Sequence, residues 1–246
     1  MDNMVKVLCV VQARLTSSRL PNKVLAKLEG SGKTVLEHVY NRLILAKRID
    51  KVIFAIPDNT LNDPLEVFLK EHNIPFYRGS EDDVLKRFYF AAEPYSPEIV
   101  VRATCDDPCV DWMMADEMIA NFDGYDYSYP LDCPLGTGVE LMSFKGLSTA
   151  YKEATKGYER EHVCPFIYEH PDRFKAKKDK YIFDTGIAQN ARLTMDEKDD
   201  YAMMNQIYRA LYKGKEIPNP EMYEYLSSYP ELMKINIEIH QKGDNE

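Results

Sequence analysis

Three cations, Arg14, Arg19 and Lys23, stand five and four residues apart in the stretch QARLTSSRLPNK, among the hydroxyls of Thr16, Ser17 and Ser18. Pro21 forbids a regular helix across this stretch, so the segment can curl and aim its cations at one target. A triphosphate fits that arrangement, because guanidinium forks clasp its oxygens in pairs while backbone amides fill the gaps. The plainer alternative is a solvated charged loop; position straight after an apolar, β-branched run favours phosphate. Asp106 and Asp107 follow another such run. Carboxylates at a strand end facing a polyphosphate are natural ligands for Mg²⁺, against which stands a solvated turn stiffened by Pro108. Asp196 in TMDEKDD either joins such a site or caps the helix that follows. In YEREHV, Arg160 suits contact with an anionic substrate, whereas a single histidine such as His162 on a helix is more often structural than catalytic.

The elements that must carry these residues follow from periodicity. Val5 to Val11 is almost wholly apolar and β-branched, as in a central parallel strand covered on both faces. Strands are predicted again at 51–56, 74–78 and 98–104, alternating with amphipathic helices over 33–47, 63–72, 84–92 and 111–122. That alternation predicts a three-layer α/β architecture with right-handed crossovers and a largely parallel sheet, with ligands outside the strand carboxyl ends. The cationic loop and CDDPC at 105–109 both fall at such ends. Beyond them, 125–130 and 138–144 read as strands, about 145–155, 159–170 and 199–212 as helices, and YIFD and ARLTMD as short strands. Neither a Pro/Gly-rich linker nor a repeat divides the chain. The expectation is one domain over 1–246 with an acceptor-facing or dimerisation insertion around 124–185.

Composition narrows the partners. A formal net charge of −9 and a pI near 5.2 argue against non-specific binding to nucleic acid or to an anionic membrane, so any bound anion needs a local cationic cluster. The N-terminal apolar run is too short for a signal h-region with its flanks or for a membrane span, and five cysteines without a CxxC pair suit a reducing compartment. A cytoplasmic location is expected. GSGKT at 30–34 imitates the end of a phosphate-cradling loop, but GxxxxGK[ST] would require glycine where Lys27 stands, and no GxGxxG occurs. Cys105 and Cys109 without histidine or further cysteine nearby make a poor zinc site.

Taken together, QARLTSSRLPNKVL, LEHVYNRL at 36–43, YRGSEDDVLKR at 77–87, EREHVCPFI at 159–167 and LTMDE at 193–197 occur in an order that resembles the spore coat polysaccharide type cytidylyltransferases, relatives of the CMP-KDO and CMP-sialic acid synthetases. The resemblance covers nearly the whole chain. It implies a Rossmann-like nucleotidyltransferase of the glycosyltransferase A type, with a mostly parallel mixed sheet, that converts CTP and an acidic sugar to a CMP-sugar and pyrophosphate. By position it implies that Ala13, Arg14, Arg19, Lys23, Arg78, Ser80, Asp83 and Arg87 bind the nucleotide, with Arg14, Lys23 and Asp106 central to catalysis. It further implies that Asp106 and Asp196 hold Mg²⁺, that Arg102, Glu140, Arg160 and His162 face a small anionic acceptor, and that the enzyme is a homodimer. Two departures stand out: CDDP replaces the usual GDCP at 105–108, and DEKDD replaces DEPED at 196–200. A glycosyltransferase of the same fold and a non-catalytic nucleotide-binding protein remain the alternatives, separated by pyrophosphate release from CTP.

Overall fold

The computed structural model describes residues 5–241. Its frame is one seven-stranded sheet built from β1 (Val7–Gln12), β2 (Lys51–Pro57), β3 (Phe76–Gly79), β4 (Ile99–Thr104), β5 (Tyr127–Leu131), β6 (Glu140–Ser143) and β7 (Ala176–Lys180), in the order β3-β2-β1-β4-β6-β5-β7. All neighbours run parallel except β6, which is antiparallel to both β4 and β5. The sheet is therefore mixed and mostly parallel, as expected.

Strand β1 lies inside it between β2 and β4, with Val7 to Val11 all buried because both faces are covered. Successive side chains alternate between two cores: Val7, Cys9 and Val11 belong to one, and Leu8 and Val10 to the other. Helices α1 (Val35–Leu43), α4 (Trp112–Ala120), α8 (Lys198–Leu211) and α9 (Asn219–Ser228) contribute to the first core. Helices α3 (Val84–Ala92), α5 (Phe144–Glu153) and α7 (Pro165–Tyr168) contribute to the second, and α6 (Gly157–His162) leads into Val163, which belongs to it. Helix α2 (Asp63–Glu71) follows β2 and buries Leu65 and Leu69 in the first.

The segment after the cationic loop is the hairpin-like excursion its glycines suggest. Lys27 bridges Thr34 in antiparallel fashion, and Gly30 and Gly32 turn the chain at φ +84° and +69°. Thr34 then caps α1, accepting from the Glu37 N–H while Glu37 accepts from Thr34 N–H. The GKT triplet is thus a turn and a helix cap, which accounts for its likeness to a phosphate loop.

Four differences from the periodicity reading have local causes. The helix expected over 159–170 breaks at Val163, buried and held at φ +72°, ψ −52°, so that Pro165 starts a new turn. The strand predicted at YIFD lies instead on the preceding AKKDK, whose lysines line a sheet edge paired to β5. ARLTMD makes only an isolated bridge, Leu135 to Arg192. Helix α9 lacks a strong apolar stripe, yet it buries Met222, Tyr223 and Leu226.

Candidate active site

The first cationic loop leaves β1 at Ala13, which is buried and whose N–H donates to Ala55 O. The loop is pinned rather than free. Leu15 N–H donates to Asn62 Oδ1, the Thr16 hydroxyl donates to Glu81 Oε1 at 2.7 Å, and Asn22 N–H closes back onto Leu15 O. Asn22 adopts a left-handed backbone (φ 58°), a conformation asparagine tolerates well, and this turns the chain into the short 3-10 turn Lys23–Leu25.

That turn drives Lys23 inward, where only 8% of it remains exposed. Its ammonium donates to Asp106 Oδ2 at 2.6 Å and to Asp196 Oδ1 at 2.8 Å. Asp106 stands just past β4, while Asp196 arrives on the segment before α8, 173 residues along the chain from Lys23. Arg19 adds a contact to Asp196 at 3.1 Å and one to Glu197 at 3.5 Å. Burial opposes the charge on Lys23, but the two carboxylates outweigh it and raise its pKa. Burial likewise opposes ionisation of Asp196, and Lys23, Arg19 and Arg192 together hold its carboxyl below the ordinary value. Half-buried Asp107 behaves differently. Burial and then the charge of Asp106 push its carboxyl up to about 7, against a hydrogen bond from the Thr104 hydroxyl at 2.6 Å.

Arg14 is exposed and makes no ion pair among the described residues. It lies near enough to Arg87 to act on it: burial, and next the Arg14 charge, lower the Arg87 guanidinium to about 10. Arg87, 2% exposed, donates to Ser80 O and Glu81 O and so fixes the loop between β3 and α3. Ser80 accepts from the Asp83 N–H, and Asp83 caps α3 through Lys86 N–H. Its other carboxylate oxygen pairs with Arg160 at 2.7 Å, which packs over the Tyr151 ring. Arg78 turns to α2 and pairs with Asp63 and Glu66.

Arg102 and Glu140 form an ion pair across β4 and β6, with Glu140 also accepting from the Tyr127 hydroxyl. They line a cavity of about 590 Å³ together with Asp107, Gly136 and Arg192. Arg160 and His162 are absent from its lining; His162 closes α6 beside the bend at Val163. The fold therefore gathers Arg19, Lys23, Asp106 and Asp196 at one point, sets Arg14 beside the β3–α3 loop, and places Arg102 and Glu140 in the adjoining cavity. Arg78 and the Asp83–Arg160 pair serve elsewhere.

Sequence reading passed over Arg192, which is 8% exposed and donates to Asp196 at 2.7 Å and Asp200 at 2.9 Å. Its four-residue spacing from Asp196 was visible, but the intervening chain is neither helix nor strand, so spacing carried no direction. Asp200 was equally concealed: it accepts from the Asp196 and Glu197 N–H groups at the start of α8, freeing Asp196 to face Lys23.

Among the described residues no group of three or more His, Cys, Asp or Glu side chains could hold a metal ion alone. Two carboxylates sharing one buried cation are nevertheless the donor set that suits a hard divalent ion when substrate phosphates complete its shell.

Known proteins resemble the chain along most of its length. The cytidylyltransferase family profile matches residues 8–217. The spore coat polysaccharide biosynthesis protein SpsF of Bacillus subtilis is 32% identical over 92% of this chain and 95% of its own length. An uncharacterized protein of Methanocaldococcus jannaschii is 32% identical over 98% of both chains. A solved cytidylyltransferase from Leptospira borgpetersenii superposes with a TM-score of 0.85 at 26% identity, covering 96% of this chain and 100% of that one. The chain belongs to the cytidylyltransferase family, whose members are CTP-using nucleotidyltransferases, in its spore coat polysaccharide branch.

Proposed function

We propose that the protein transfers CMP from CTP to a small anionic acceptor, an acidic sugar or a phosphate or phosphonate compound, and releases pyrophosphate, within surface polysaccharide or glycoconjugate synthesis. The observation that carries this reading is the meeting of Lys23 with Asp106 and Asp196 beside a cavity large enough for a sugar acid. The polysaccharide context is supported by the likeness to SpsF.

In this reading Arg14, Arg19 and Lys23 hold the triphosphate, and the pinned loop keeps them close to where charge develops on the departing pyrophosphate. Asp106 and Asp196 would hold Mg²⁺, which neutralises phosphoryl oxygens when bound. The acceptor oxygen, a hydroxyl giving up its proton to solvent or an already ionised phosphate or phosphonate oxygen, bonds to the α-phosphorus as the bridging oxygen toward the β-phosphorus leaves with pyrophosphate. Protein side chains supply position and charge; no nucleophile of the chain is consumed. Arg102 is not a free anion clamp, because Glu140 neutralises it; the pair forms a rigid floor beneath the acceptor.

The test is pyrophosphate release from each of the four nucleoside triphosphates with Mg²⁺ and a panel of acidic sugars, phosphates and phosphonates. CTP is expected to be preferred, and Asp106→Asn to lower kcat at least about 10²-fold, the scale of losing a transition-state electrostatic contact. A folded Asp106→Asn variant with near wild-type turnover would refute the assignment. CTP binding without product across the whole panel would favour a nucleotide-binding protein instead.

A further inference from the structure

Of the charged side chains that line the cavity, Asp107 accepts from the Thr104 hydroxyl, while Glu140 and Arg192 each hold several partners. Glu140 meets Arg102 through one oxygen and the Tyr127 hydroxyl through the other. Arg192 gives Nε to Asp200 and Nη2 to Asp196. Its remaining terminal nitrogen, Nη1, donates to no carboxylate; it donates to the carboxamide oxygen of Gln241, an exposed residue from the C-terminal segment. That segment runs over the cavity, with Asn236, Ile237, Ile239 and Gln241 forming part of the wall.

The segment has a fixed end and an exposed one. Asn236 is 2% exposed and donates through Nδ2 to Arg192 O and to Asp200 Oδ1, both at 2.9 Å. Ile237, the next residue, is 67% exposed, and Gln241 itself is exposed while the guanidinium it meets is buried. A neutral amide oxygen thus occupies the one nitrogen of a buried guanidinium that meets no carboxylate. Charged oxygens form stronger hydrogen bonds to guanidinium than amide oxygens do, so an acceptor bearing one would displace it.

We propose that Arg192 anchors the acceptor through Nη1, and that Gln241 holds this place in the free protein as a latch, with residues 237–241 swinging about Asn236 to admit the acceptor. The inference rests on the transfer reading above for the cavity's identity as the acceptor site. It narrows the acceptor class: the group that meets Arg192 carries an anionic oxygen that reaches Nη1, because Nε is given to Asp200 and Nη2 to Asp196. It also couples the two halves of the site, since Asp196 links Arg192 Nη2 to Lys23.

The latch can be tested without turnover. Amide hydrogen exchange over 237–241 is followed in the intact chain with acetate or methylphosphonate as minimal anionic probes, against chloride at equal ionic strength. In the wild type either probe is expected to speed exchange at least about threefold. Gln241→Ala is expected to exchange fast without a probe and to ignore it. Gln241→Glu, which sets a carboxylate on Arg192, is expected to stay protected in the presence of the probe. Equal exchange in wild type and Gln241→Ala, or a Gln241→Glu segment as fast as that of Gln241→Ala, would overturn the latch. With an acceptor that releases pyrophosphate, Gln241→Ala is expected to lower its KM about three- to tenfold and Gln241→Glu to raise it, with kcat and the KM for CTP unchanged. Shifts in one direction for both variants would overturn it as well. Failure of all acceptors in the panel refutes the transfer reading alone and leaves the exchange result to decide the latch.

Discussion

Replacing Lys23 by Met keeps an unbranched side chain one atom shorter and removes the ammonium that joins Asp106 to Asp196. Breaking a buried ion pair costs about 3–5 kcal/mol when the abandoned charge has no other partner. Here Asp196 retains Arg19 at 3.1 Å and Arg192 at 2.7 Å, and the Asp106 side chain is 27% exposed. The expected destabilisation is therefore smaller, about 1–2 kcal/mol, or a fall of about 2–8 °C in Tm for a domain of this size. Turnover is expected to fall about 10²–10³-fold, because in the proposed transfer the ammonium acts where negative charge grows on the leaving pyrophosphate. The two losses separate in experiment: Tm and circular dichroism report the first, pyrophosphate release the second. A third measurement distinguishes this site from a purely structural ion pair. In the proposed site the ammonium would compete with a divalent ion for the same two carboxylates, so Mg²⁺ is expected to raise Tm more in Lys23→Met than in wild type. A folded variant with wild-type turnover and no greater response to Mg²⁺ would refute the reasoning.

Two further predictions concern the frame that holds the site. Gly136 sits at φ +88°, and a Cβ there would lie 2.4 Å from Thr194 N and 2.5 Å from Leu193 C, so Gly136→Ala must displace the chain leading to Asp196. It is expected to cost about 2–4 kcal/mol, read as a lower denaturant midpoint at unchanged slope; an unchanged midpoint would contradict it. Glu159 accepts from the Thr155 and Lys156 N–H groups and so starts α6; burial opposes its charge, and these bonds with Lys156 outweigh it, holding its carboxyl below the ordinary value of 4.5. With the folded pKa below the unfolded one, the unfolded chain binds more protons in between. The stabilisation is complete above about pH 4.5 and is lost as pH falls through the folded value. Glu159→Gln is expected to destabilise at pH 7 and to converge with wild type in acid; a constant difference across that range would show that ionisation is not the cause.

How much of this was legible in advance follows from what each part depends on. The parallel half of the sheet could be read directly, because runs such as VLCVV and KVIFAI are buried on both faces and carry that burial in their composition. Strand β7 could not, because AKKDK becomes a strand only by pairing with β5 at an edge that solvent can reach. The bend at Val163 was hidden for a related reason: the apolar pattern of 159–170 is continuous, and the left-handed residue is imposed by packing, with Val163 wholly buried in the second core.

The site divides in the same way. Residue type and order in the chain determined that a cationic loop follows β1, that carboxylates follow β4 and precede α8, and that the whole resembles a cytidylyltransferase, because these are local properties of consecutive residues. Only the tertiary structure decided that Lys23 rather than Arg14 touches both carboxylates, that Glu140 neutralises Arg102, that Arg78 turns to α2, and that Arg192 stands between Asp196 and Gln241. Those outcomes turn on distances between residues far apart in the chain and on which partner each buried charge must find to remain ionised. A sequence names the charges; burial in a common interior pairs them.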